Sequence, residues 1–259
     1  MSGRRGDLGR RVVAVAAPAT LLVLFFVAWE LLVDWFGTPE YILPPPTRIA
    51  RALYEDAGLL FPEMLTTLKE VLLGFGIAFV TAMVLGFLLA HSAIMNRTLY
   101  PLLVASQTIP VIAIAPVLLI WFGYGIWPKV VVTALIAFFP LTVTTVTGFN
   151  SVDPDMRTLF RAYRAGRLQT FRKLTFPAAL PYIFAGTKIA VTLSVIGATI
   201  GEWVGADAGL GYIIIQAGAQ ILTARLFAAL VLLSVMGIVL FVIVVLIERL
   251  VMPWRRSTG

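Results

Sequence analysis

Cysteine is absent from this 259-residue chain, and histidine occurs once, as His91. The first absence excludes disulfides, iron–sulfur clusters and thiol catalysis. The second excludes a multi-histidine metal site built from this chain, and no carboxylate cluster stands in for one. Charge is scarce as well. Asp, Glu, Lys and Arg make up 13% of residues, against about 25% in an ordinary soluble domain. A globule of this size cannot cover its surface with so few charges. What the chain has in abundance is apolar surface: 60% of residues are hydrophobic, 12% are aromatic, and mean hydropathy is +0.96. Such surface belongs against lipid, and the chain reads as an all-α integral membrane protein. The net charge of +7 does not indicate nucleic acid, because the basic residues fall between apolar stretches.

A spanning helix needs about 20 mostly apolar residues to cross a hydrocarbon core of about 30 Å. Cutting the sequence at its charges gives uncharged runs at Val12–Trp29, Val71–Ala90, Thr98–Pro128, Val130–Val152 and Leu226–Ile247. A sixth stretch, Pro181–Val204, is interrupted only by Lys188, which is expected to snorkel to the cytoplasmic surface. Six crossings result. The first run is longer than the apolar core of a secretory signal, and its small residues lie at its start, so it reads as an uncleaved crossing. With the N-terminus inside, fourteen Lys and Arg fall in inner segments and four (Arg48, Arg51, Lys129 and Arg225) in outer ones. That asymmetry puts both termini in the cytoplasm. Residues 1–11 are then a basic cytoplasmic tail and 12–259 a single transmembrane domain. His91 marks the inner end of the second crossing. In the outer segment after the first crossing, Pro44-Pro45-Pro46 predicts an extended connector, with Thr47 as the cap of a short helix.

The inner loop 151–177 carries the densest information. Asp153-Pro154 is a helix start, a side-chain cap followed by a proline whose missing N–H costs nothing there. Arg157, Arg161 and Arg164 follow at i, i+4 and i+7, on one helical face, with Leu159, Phe160 and Tyr163 on another. Gly166 is expected to end the helix or permit a sharp turn, and Phe171 leads on to Pro177 and Pro181. A loop that only met anionic lipid heads would need charge, not a glycine with aromatics at fixed offsets.

This stretch resembles the cytoplasmic coupling loop of ATP-binding-cassette importer permeases, whose pattern is Glu-Ala-Ala, three residues, Gly, then a proline further on. Aligned on Gly166, the first three positions are Phe160, Arg161 and Ala162, so the Glu and one Ala are lost. That loss is itself similar to the nitrate/sulfonate/taurine-type branch. Gln107-Thr-Ile-Pro110, Pro116 to Gly123-Tyr-Gly, Phe138-Phe-Pro140 and Gly201-Glu202-Trp203 resemble the same branch in order. Members linked to thiamine-precursor pyrimidines or riboflavin look closest, with sulfonate, taurine or nitrate importers as the alternative. The resemblance implies a type I importer permease fold in a bacterial inner membrane. It also implies a second permease copy, two ATPase subunits that bind ATP and Mg, and a periplasmic or lipid-anchored solute-binding protein. It makes Arg161, Ala162, Arg164, Ala165, Gly166, Phe171 and Pro177 the ATPase-coupling residues. The chain itself has no phosphate-binding Gly-x-x-x-x-Gly-Lys-Ser/Thr loop and needs no cofactor of its own.

Polar groups within crossings are candidates for the translocation pathway. Gln107 lies between Pro101 and Pro110, in a stretch suited either to lining a cavity or to a polar contact between helices. Glu202 and Trp203 precede the glycine-rich bend Gly205–Gly211 and read either as a gate or substrate contact or as an interfacial anchor and turn. Thr142, Thr144, Thr145 and Thr147 are expected to bond their own helix. An ion-coupled secondary transporter is the rival from another class, but Glu30, Glu70, Glu202 and Glu248 all sit towards the ends of crossings. A membrane enzyme would need a catalytic constellation that the sequence does not contain.

Overall fold

The computed structural model describes residues 3–205 and 207–253, without the side chains of residues 3–16 and of Ala93. The basic side chains of the expected tail, and Arg255 and Arg256, lie outside the described residues. Among the described residues the chain is helical, without strands. The helices are α1 (Gly3–Phe36), α2 (Pro46–Glu55), α3 (Ala57–His91), α4 (Ala93–Ser106), α5 (Val111–Phe122) and α6 (Ile126–Asn150). They continue with α7 (Pro154–Ala162), α8 (Arg167–Thr170), a π-helical turn Phe171–Thr175, α9 (Phe176–Trp203), α10 (Leu210–Ala219) and α11 (Thr223–Val251). Five helical stretches are long and apolar enough to cross a membrane, and α4 with α5, bent by 95° at their break, passes the same test as a pair, either as one broken span or as a re-entrant loop. Of the six crossings expected from the uncharged runs, five are single helices, and the third corresponds to the bent α4–α5 pair. Several helices extend past those runs because charged residues lie inside them, as the functional site shows. Lys129 is the first such case: it is the fourth residue of α6 and 4% exposed, not an outer-loop residue.

The helices form two compact units, residues 1–60 with 214–230, and residues 61–213 with 231–259. In the first unit, the backbone enters α2 through Pro45, extended at φ −67° and ψ 150°, and Pro46 is the first helical residue. The triple proline thus feeds the helix directly. Thr47 is not the cap; its N–H and hydroxyl both donate to Glu30, at 3.0 and 2.5 Å. The carboxylate from α1 satisfies an open N–H of the first turn. Arg225 holds Asp56 through two 2.8 Å hydrogen bonds, a bidentate pair that ties the start of α11 to the end of α2.

The second unit is organised around α6, which packs between α3 and α9. The reason is a pair of small-residue faces. On α9, Gly186, Ala190, Ser194, Gly197 and Gly201 recur every three or four residues and are all buried. On α3, Gly74, Ala78, Ala82 and Gly86 do the same. With no larger side chains between them, the backbones meet. A Cβ on Gly197 would stand 2.8 Å from the Thr133 Cα, and one on Gly201 would stand 2.8 Å from the Lys129 Cα. On the other side, a Cβ on Gly86 would lie 2.6 Å from the Thr145 methyl. Lipid tails are as apolar as leucine, so close backbone approach is what holds such helices together. Thr142, Thr144 and Thr147 of α6 donate to carbonyls of their own helix, at 2.8 to 2.9 Å, while Thr145 turns to the Met83 sulfur.

The bend between α4 and α5 has a covalent cause. Pro110 has no N–H to continue the ladder and disfavours a helical residue before it. Gln107 is the C-cap of α4, with its N–H turned to the Val104 carbonyl at 3.2 Å. Overpacking the α6–α9 contact tests this architecture. Gly197→Val is expected to cost about 1–3 kcal/mol, seen as a lowered midpoint of thermal unfolding in detergent. Gly76→Ala, at a position with no atom within 4 Å of the added carbon, leaves the midpoint in place.

Candidate functional site

The 151–177 loop forms as its first residues direct. The Asp153 carboxylate accepts from the Asp155 N–H at 2.8 Å, and Pro154 opens α7. None of the residues of α7 is buried. Met156, Leu159 and Tyr163 leave 42%, 46% and 80% of their surface open, an apolar face unoccupied among the described residues. The helix ends earlier than the arginine spacing suggests. Ala162 is its last residue, and Arg164 turns left-handed at φ +53°. Arg164 therefore does not continue the face of Arg157 and Arg161. The tight turn also falls on Arg164 rather than on Gly166, which is extended at φ −66° and ψ 160°, a conformation open to any residue. A Cβ on Gly166 would meet nothing within 4 Å. Nothing among the described residues requires a glycine there.

Behind the loop, Phe171 is half-buried in an aromatic cluster. Its ring centroid lies 5.3 Å from Phe87, 5.9 Å from Phe149, 5.9 Å from Phe176 and 6.1 Å from His91. His91, the last residue of α3, stacks on Phe87 at 4.2 Å and reaches the Phe87 carbonyl with Nδ1 at 2.9 Å. The cluster joins the loop to the ends of α3, α6 and α9. Arg157 adds a 3.1 Å bond to the Phe149 carbonyl. Arg161, Ala165 and Phe171 share a cleft of about 640 Å³ with Arg157 and Arg167, whereas Ala162, Arg164 and Gly166 stay outside it. Pro177 is the second residue of α9. Its missing N–H and ring bulk act on the preceding turn, which widens to the π form at Phe171–Thr175. From Arg167 to Trp203 the chain is nonetheless one helical stretch.

At the far end of α9 stands a polar knot that surrounds Glu202. Glu63, Thr67 and Glu70 occupy one face of α3 at i, i+4 and i+7. The first turn of α10 points its free N–H groups at this face. Gly209 donates to the Glu63 carboxylate, Leu210 to the Thr67 hydroxyl at 2.8 Å, and Gly211 to Glu202 at 2.5 Å. The Thr67 hydroxyl in turn donates to Glu202 at 2.6 Å. The Lys129 ammonium sits 2.9 Å from Glu70 and donates to the Ala208 carbonyl at 3.5 Å. Glu70, Glu202 and Lys129 are 0%, 1% and 4% exposed. Carboxylates at a helix N-terminus are favourable because they meet open N–H groups and the positive end of the dipole. Gly209 is obligatory: it adopts φ +110°, and a side chain would fall on the Glu202 carboxylate.

Among the expected pathway residues, Glu202 is thus an internal anchor of α10. Trp203 is 44% exposed and takes no part in these bonds. Gln107 is exposed at the α4–α5 break, and no hydrogen bond among the described residues joins it to the knot. Sequence reading missed Glu63, Thr67, Glu70 and Lys129 because it treated charges as markers of helix ends. The three-residue face on α3 was the available signal. Lys188, expected to snorkel to the cytoplasmic surface, pairs with Glu248 of α11 at 2.7 Å.

Residues 82–256 match the family described as binding-protein-dependent transport system inner membrane component. A formylaminopyrimidine transport permease protein of Halalkalibacterium halodurans is 39% identical over 93% of this chain and 96% of its own length. A riboflavin transport system permease protein of Chloroflexus aurantiacus is 37% identical over 94% and 91%. The inward-facing MetNI methionine ABC transporter shares the fold, with a TM-score of 0.66 at 23% identity over 76% of this chain and 98% of that one. The family match over more than half the chain, and relatives of this identity along nearly all of it, place the chain in the binding-protein-dependent transport system inner membrane component family: it is a permease subunit of an ATP-binding-cassette importer, with ATP hydrolysis on a separate subunit.

Proposed function

We propose that this permease imports a small uncharged heterocycle, of the thiamine-precursor pyrimidine or riboflavin kind. The observation that carries this reading is the gradient of identity. The pyrimidine and riboflavin permeases stand at 39% and 37%, whereas a putative aliphatic sulfonates permease of Bacillus subtilis stands at 28% over a similar span. Import of sulfonate, taurine or nitrate by the same architecture is the less supported reading. Family membership takes the place of the ion-coupled alternative. The proposed assembly sits in a bacterial cytoplasmic membrane with both termini inside, as the Lys and Arg asymmetry supports. It pairs two copies of this chain with two ATPase subunits, which hold ATP and Mg, and with a periplasmic or lipid-anchored solute-binding protein. No nucleic acid takes part.

In this proposal the exposed faces of Arg161, Ala162, Arg164, Ala165 and Gly166 meet the ATPase, as an amphipathic helix meets a groove. Phe171 and Pro177 pass the movement on, since one packs against three helices and the other opens α9. Gln107 and Trp203 are the exposed pathway candidates. Glu202 serves the pathway by fastening α10.

Two measurements test this. Proteoliposomes containing the assembled importer are expected to take up a labelled formylaminopyrimidine or riboflavin when ATP is supplied, with no competition from excess taurine. Uptake of taurine or nitrate without the heterocycle would overturn the substrate reading. For the loop, Gly166→Val keeps an allowed backbone and open space, so the chain folds and inserts as before. Uptake is expected to fall about tenfold or more, equivalent to a transport barrier raised by at least ~1.4 kcal/mol, while ATP hydrolysis continues. Unchanged uptake would remove the partner contact at Gly166.

A further inference from the structure

We infer that the permease carries a solute subsite of its own, in an uncharged cleft at the end of the second unit nearest the 151–177 loop. This rests on the heterocycle reading above and gives that reading a place in the chain. The cleft has a volume of about 440 Å³ and is walled by α4, α6 and the start of α9. Asn96 and Tyr100 stand one turn apart on α4, Thr147 and Asn150 on α6, and Tyr182 on α9. The wall is close because Gly148 lets Tyr182 lie against α6: a Cβ there would stand 2.9 Å from the Tyr182 Cβ.

The lining has a distinct chemistry. Thr147 and Ser151 spend their hydroxyl protons on carbonyls of their own helix, at 2.9 and 2.7 Å. The amides of Asn96 and Asn150 and the hydroxyls of Tyr100 and Tyr182 make no hydrogen bond among the described residues. Two carboxamides and two phenols thus converge on one space, with both donors and acceptors to offer. Two aromatic rings provide flat apolar area beside them. A planar amide- or imide-bearing heterocycle matches that set, and the volume is in the range of small-molecule sites. None of the lining residues is charged. Nitrate, sulfonates and lipid phosphates carry full negative charge, and their recognition draws on charge-assisted donors that this cleft lacks. The subsite would therefore act as a second selectivity filter after the binding protein. It must also be weak, because a solute in transit has to leave.

The lack of native cysteine makes the test direct, since a Cys introduced in the cleft is the one thiol of this chain. Thr147→Cys in the assembled importer is labelled with a maleimide in the presence of a formylaminopyrimidine, riboflavin, taurine or nitrate. With the heterocycle at about ten times its dissociation constant, labelling is expected to slow about tenfold, because occupancy is then about nine-tenths. Taurine and nitrate leave the rate unchanged. Adding Asn150→Ala or Tyr182→Phe raises the heterocycle concentration needed for half-protection several-fold. Ser151→Cys, also at the cleft, replaces Thr147→Cys if the latter does not assemble. Heterocycle uptake without protection overturns the subsite and leaves the substrate reading standing. Equal protection by taurine and nitrate, or a rate set by lipid headgroup rather than solute, also overturns it. Protection by the heterocycle in an importer that takes up only sulfonates supports the subsite and defeats the substrate reading instead.

Discussion

The second unit depends on the close approach of α6 to its two neighbours. In water, a helix of this composition would be driven inward by the hydrophobic effect. In lipid that drive is absent between helices, and contact between backbones has to replace it. The alternation of Gly, Ala and Ser along α3 and α9 provides the contact, with α6 supplying threonines whose hydroxyls are mostly closed onto their own carbonyls. A carbon added at Gly74, Gly197 or Gly201 would meet backbone or a Cβ, groups that cannot rotate away. That is why three long helices with few polar groups hold one register.

The register in turn makes the knot around Glu202 affordable. Removing one partner from a buried charge pair costs about 3–5 kcal/mol in soluble proteins, and a membrane setting offers no cheaper escape. Lys129 lies directly over Gly201, so the α6–α9 contact that excludes a side chain at Gly201 also brings the ammonium to Glu70. The same contact places Glu202 under the first turn of α10. Packing and electrostatics are therefore one arrangement here, and neither would persist without the other.

Much of this was legible beforehand, for identifiable reasons. The five long apolar helices and the bent α4–α5 pair follow from uncharged runs, because the cost of charge in lipid is large and acts residue by residue. The Asp153-Pro154 helix start is local chemistry and is found where the sequence puts it. The failures share a cause as well: each concerned a residue whose state is set by a distant partner. Lys129 and Glu70 look like helix ends until they are seen to pair across α6 and α3. Thr47 looks like a cap until Glu30 takes both its donors. At Gly166 the error ran the other way. A glycine suggested backbone need, yet its φ is ordinary and the space around it is open, so no need for it arises among the described residues.

The two ends of α9 explain why a loop so lightly packed can still matter to the rest of the molecule. The helical stretch from Arg167 to Trp203 has 37 residues, about 55 Å at 1.5 Å per residue. At one end Phe171 is held by rings from α3, α6 and α9. At the other, Glu202 grips the N-terminus of α10. Between them the small-residue face leaves no room for sliding without collision. A displacement at the loop is then not absorbed along α9, save at the π-helical turn, where the hydrogen-bond ladder is already irregular. Under the proposed coupling role, that turn is the place where the ATPase's motion either bends the rod or moves it as a whole. The aromatic cluster around Phe171 spans the turn and favours movement as a whole.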